Sequence, residues 1–117
     1  MTHKESAHEQ ITREVTSWPG VEAGIGQRGE FGFRLGRREL GHLHGSHALH
    51  IGFPKDVWHD LRAAGRIDHH PVFPGQAGFS SRRLVTQDDV RDAIALIRLN
   101  YDRVVAKHGR PETSRAA

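Results

Sequence analysis

The feature that most constrains this chain is the alternation in GHLHGSHALHIGFP, Gly41 to Pro54. On either side of Gly45-Ser46, histidine and aliphatic residues follow each other at every second position. That is the period of a β-strand and not of a helix. A hairpin is expected, with ELGHLH and HALHIGF as its strands. Leu43, Leu49, Ile51 and Phe53 then share the face that seeks a core, while His42, His44 and His50 share the other. Pairing around Gly45-Ser46 brings His50 towards His42, to the ~5 Å of direct cross-strand neighbours. His47 sits at the turn, outside that set.

The rest of the chain supplies what covers one face of this hairpin. Thr2 with Glu5 reads as a capping box for a first helix, on which Ala7, Ile11, Val15 and Trp18 recur at helical spacing before Pro19-Gly20 ends it. VEAGIGQ and EFGFRL read as two strands separated by a turn at Arg28-Gly29, and Gly36 to Arg38 turns the chain into the hairpin. Pro54 fits the first position of a short helix with Val57, Leu61 and Ala64 as its stripe, stopped at Gly65. RIDHHPVFPGQAG reads as an ordered loop and FSSRRLV as a fifth strand. Thr86 with Asp89 opens the last helix, on which Val90, Ile94, Ile97, Tyr101 and Val104 make the apolar stripe. After His108, GRPETSRAA has no apolar face.

The order helix, four-strand meander, helix, strand, helix defines an α+β fold: an antiparallel sheet of about five strands with helices packed on one face. Residues 1–108 are expected to form a single domain and residues 109–117 a flexible tail. In 117 residues there is no cysteine, which excludes a disulfide framework, a thiolate nucleophile and thiolate-ligated zinc or iron–sulfur centres. Any metal must sit on His, Asp or Glu. No run approaches the roughly 18 apolar residues of a membrane span, and the N-terminus lacks the apolar middle of a signal peptide. A cytoplasmic protein without membrane contact is the resulting expectation. The net charge of +3 comes from scattered arginines with no interleaved aromatics, which argues against nucleic acid as a partner. Gly24, Gly26 and Gly29 match a dinucleotide-type spacing, but a strand follows them rather than a helix. Ser80 and Ser81 lack a nucleophile elbow.

The chemistry-bearing residues are therefore the histidines. Two rings at His-x-His spacing on one strand face can hold one divalent ion, and a third leaves an open position, so His42, His44 and His50 are the candidate metal ligands. Pro71 holds His70 extended. If the loop folds over the open sheet face, His69 or His70 completes a pocket for a small-molecule ligand, with Arg37 and Arg82 as a cationic rim. The same open face could alternatively pair two copies of the chain in a homodimer that loosens below about pH 6.

FGFRLGRRELGHLHG, HALHIGFPKDVWHDLRAAGRIDHHP and DVRDAIALIRLNYDRV together resemble the luciferase-domain family, small proteins that take their name from similarity to fungal luciferases. The resemblance spans roughly Ser17 to Val105. It rests on the His-x-His strand, the His-x-Gly-Phe-Pro step into a helix, the His-Pro loop and the closing Leu-x-x-x-Tyr helix. It implies this fold, an oxygenase-type or small-molecule-binding function, and His42, His44, His50, His70 and Tyr101 as catalytic positions. A departure is Gly78-Phe79, where the family loop often carries Gly-Trp. The element order also resembles YjbR-like domains, through the closing Asn100-Tyr101 pair. That likeness implies the alternative of a non-catalytic binding module for protein or nucleic acid.

Overall fold

A computed structural model of the protein describes residues 4–71 and 76–109. In chain order the elements are α1 (Ala7–Val15), β1 (Val21–Ile25), β2 (Phe31–Leu35), β3 (Arg38–His44), β4 (Ala48–Gly52), α2 (Lys55–Ala63), β5 (Asp68–His69), β6 (Phe79–Arg83) and α3 (Gln87–His108). The sheet is antiparallel throughout, in the order β1-β2-β3-β4-β6-β5. The α+β class and the four-strand meander are as expected, but the strands number six rather than about five. The addition is β5, a two-residue strand in the Pro/Gly loop, pairing Asp68 with Ser81 and His69 with Ser80. Its pairing is donated by the free edge of β6, so local sequence carries no sign of it. Val72 to Gly75 of that loop, and the tail beyond residue 109, lie outside the described residues.

The helix boundaries follow from their caps. α1 is capped by Ser6, whose Oγ accepts the Glu9 N–H while the Glu9 carboxylate accepts the Ser6 N–H. This reciprocal box stands one turn later than the Thr2–Glu5 pair, and Thr2 itself lies outside the described residues. The shift by a turn leaves Ile11 and Val15 on the buried face. α2 begins after Pro54, which serves as its N-cap rather than its first helical residue. The Trp58 indole N–H donates to Phe79 O at 2.9 Å and ties this helix to β6. α3 carries the expected Thr86–Asp89 box. Asp89 accepts the Val85 and Thr86 N–H groups and a guanidinium N–H of Arg82, which together hold its carboxyl well below the usual carboxylate range.

The core lies between the sheet and the helices. Phe33, Leu35, Leu43, Leu49 and Ile51 from the sheet meet Ile11, Val15, Ala93, Leu96 and Ile97 from α1 and α3. One irregularity positions the open face. Phe33 pairs with Gly41 but Arg34 pairs with Glu39, so Leu40 is the extra residue of a β-bulge in β3. Asn100 of α3, itself buried, closes this region. Its Nδ2 donates to Leu40 O at 3.1 Å and to Gly52 O at 2.8 Å, linking the bulge of β3 to the end of β4. Its Oδ1 accepts from Arg103 at 2.7 Å.

Replacing Asn100 by leucine keeps the branched shape but removes the donors to the buried Leu40 carbonyl and the part-buried Gly52 carbonyl, so it should cost about 2 kcal/mol. Urea unfolding of parent and variant measures this, and a change under about 0.5 kcal/mol, the scale of a neutral surface substitution, would contradict the clamp.

Candidate functional site

The histidine face is built by a turn of odd length. β3 and β4 are joined by three residues, Gly45, Ser46 and His47, with Gly45 at φ 54° and the His47 N–H donating to His44 O at 3.0 Å. A two-residue turn at Gly45-Ser46 alone would set His42 opposite Leu49. The third residue restores the match, and His42 pairs with His50 while Leu43 pairs with Leu49. Across the next pair His50 stands opposite Ser81. His70 follows β5 and enters from the sheet edge.

Four of the sequence-predicted positions are thereby brought together. Ring centres lie 5.4 Å apart for His42 and His50, 5.7 Å for His42 and His44, 4.1 Å for His44 and His50, and 4.3 Å for His50 and His70. They border a cavity of about 470 Å³, within the size range of small-molecule sites. Ile51, Gly41 and Gly52 also line it, as do Phe79 on one side and Arg28, Glu30 and Glu39 on the polar side. His44 is exposed and His42 half-buried, whereas His50 keeps only 6% of its surface accessible.

Other expected members stand elsewhere. Tyr101 is buried on α3, donates its hydroxyl to Pro19 O at 2.7 Å and packs edge-on against Trp18 under the Arg98 guanidinium. Its hydroxyl satisfies the connection into β1 and the ring does not line the cavity. His69 turns to α2, where its Nε2 meets Arg62 at 3.2 Å, and His47 is exposed at the turn. Arg82 does not line this cavity. It pairs opposite Leu49 and donates to Asp89, Asp92 and the Arg66 carbonyl on the helix side. Arg37 lies in the β2–β3 turn and does not line the cavity. Arg28 does, and periodicity gave no reason to choose it.

Sequence reasoning also missed Glu39. Strict alternation sets Glu39 and His42 on opposite faces, but the extra residue at Leu40 brings them to one face, where Glu39 Oε2 lies 2.9 Å from His42 Nδ1. A carboxylate at Nδ1 fixes the proton on that nitrogen and leaves Nε2 as the acceptor or ligand atom. Burial pulls the His50 imidazole down to about 4, and the neighbouring His44, His70 and His42 rings oppose its charging further. His70 is lowered by burial and by His42 and His44. At neutral pH, His50 is therefore an uncharged imidazole.

An open antiparallel sheet, backed by helices and bearing converged imidazoles on its bare face, defines a class of α+β protein with a histidine-lined concavity. A family model described as the luciferase domain matches residues 37–100, more than half of the chain, and the chain belongs to that family. The matched segment contains His42, His44, His50, His70, Glu39 and Asn100, and stops before Tyr101. No curated protein and no solved structure matches the chain. Among the described residues, no helix is long and apolar enough to cross a membrane.

The lowered His50 makes a pH prediction. An unfolded histidine takes its proton near 6.5 and folded His50 only near 4, so the unfolded state binds more protons between those values. Stability of chelator-treated protein should be unaffected above that window and fall as pH drops from 6.5 to 4, at no more than about 1.4 kcal/mol per pH unit from this group. His50→Gln should lose much of that slope in urea denaturation. Parallel curves for parent and variant would refute the assignment.

Proposed function

We propose that the protein binds a small molecule on the open face of its sheet, with His42, His44, His50 and His70 as the polar groups that orient it. The observation that carries this reading is the convergence of the four rings on one cavity, from β3, β4 and the segment after β5. A sheet face meant only for solvent has no need to bury a histidine, whereas His50 is buried on the side away from the helices. The cavity walls are mixed in character. Phe79, 45% exposed, offers a ring face for stacking, Gly41 and Gly52 let a ligand lie close to the sheet backbone, and the imidazoles accept hydrogen bonds from ligand hydroxyls. Arg28 shares the polar side with Glu30 and Glu39, so hydroxyl groups rather than carboxylates match it. A planar aromatic molecule bearing hydroxyl groups fits that set, and reactions that remove a hydroxyl proton fit a histidine as general base. Membership in the luciferase-domain family makes an oxygenase-type reaction on such a molecule the enzymatic form of this reading.

A panel of phenols, screened by protein-observed NMR in the presence of EDTA, tests the pocket. Amide shifts should concentrate on β3, β4 and residues 69–70 and 78–81. Phe79→Ala should weaken the best fragment about tenfold, the loss of one stacking contact of roughly 1.4 kcal/mol. Shifts scattered over the surface, or gathered on α1 and α3, would overturn the proposal.

A further inference from the structure

The three histidines of the hairpin have a property that binding a small molecule does not require. One ring nitrogen from each of His42, His44 and His50 lies within 4.8 Å of the others. Two imidazoles on one ion sit about 2.0–2.1 Å from it, so their nitrogens stand at most roughly 4 Å apart. The observed spread lies within about an ångström of that limit, and His44, the exposed member, has the most room to adjust its ring. The donors also come from adjacent, directly paired strands of the sheet. His42 and His50 are directly paired across β3 and β4, and His44 is two residues from His42 on the same face.

We propose that His42, His44 and His50 form a binding site for one divalent transition-metal ion of the zinc, cobalt or nickel kind, with its fourth position open to the cavity. Three features select that class. Neutral imidazole suits these ions, whereas magnesium and calcium prefer sets of carboxylate, carbonyl and water oxygens. Three protein ligands and an open side correspond to sites where the ion meets a substrate or water, and not to closed structural sites. Glu39, 2.9 Å from His42 Nδ1, is the carboxylate that orients a metal-bound imidazole from behind and leaves Nε2 for the ion. His70, 4.3 Å from His50 between ring centres, stands where it can contact whatever occupies the open position. The inference builds on the pocket reading above by naming a cofactor for the same face, yet it requires no organic ligand to be tested.

The experiment is titration of the untagged, chelator-stripped full chain with Zn2+ and Co2+, followed by calorimetry and by the visible absorption of bound cobalt. Binding of one equivalent is expected with a Kd below about 1 µM, Mg2+ binding at least 100-fold more weakly, and a tetrahedral cobalt spectrum. His44→Ala is the main variant because His44 is exposed and its loss spares the core. It should weaken Zn2+ at least 100-fold. Glu39→Gln should weaken it about 10-fold to 100-fold. His47→Ala, at the exposed turn of the same hairpin, should bind as the parent does. Absence of a one-equivalent site, or the same affinity in His44→Ala as in the parent, overturns the metal site. Fragment binding in EDTA is read separately, so a failure of the metal site and a failure of the pocket are told apart.

Discussion

The arrangement of the open face depends on the hydrogen bonds of Asn100. Its amide donates to Leu40 O in the bulge and to Gly52 O at the end of β4, and thus joins two strands from the helix side. A β-bulge leaves backbone groups out of the ladder, and buried unpaired carbonyls are costly. Asn100 supplies the missing partner for one of them. With the bulge held, β3 changes phase within a single strand: Arg38 and Glu39 follow one register against β2, and Gly41 to Leu43 the other. The exposed half of that change is the Glu39–His42 contact. The buried half is Leu40, at 1% exposure. One side chain on α3 therefore couples the core to the polar geometry of the opposite face.

That coupling explains what was legible in the sequence and what was not. The facing of Leu43, Leu49 and Ile51 against His42, His44 and His50 follows from alternation, because within one register the period of a strand admits no other division. The Thr86–Asp89 box and the α3 stripe are also local signals. Glu39 was not legible, because a bulge adds one residue without a mark in the sequence, and Glu39 stood on the wrong side of a strictly alternating strand. β5 was hidden for a related reason: two residues become a strand only when β6 offers an edge. Only family resemblance points to Tyr101 as a site residue, and its hydroxyl donates to Pro19 O.

Charge is divided between the two faces of the sheet. The guanidinium of Arg82 and that of Arg66 are both held by Asp92, and Arg82 also by Asp89, on the helix side of the sheet. Had Arg82 followed the opposite register and turned towards the open face, a permanent cation would have stood beside His50 in a partly buried setting. A fixed positive charge there would oppose both protonation of the rings and approach of a divalent cation. Instead, the formal charges lining the cavity are Arg28 on one hand and Glu30 and Glu39 on the other, a local balance of minus one in a chain whose net charge is +3. The half-buried Glu30 carboxylate is itself held low by its own N–H and that of Arg28. A positively charged protein thus keeps an anionic rim beside four imidazoles, and while burial and the neighbouring rings keep His50 and His70 from taking up protons, Glu30 and Glu39 lower the electrostatic cost of a cation held there.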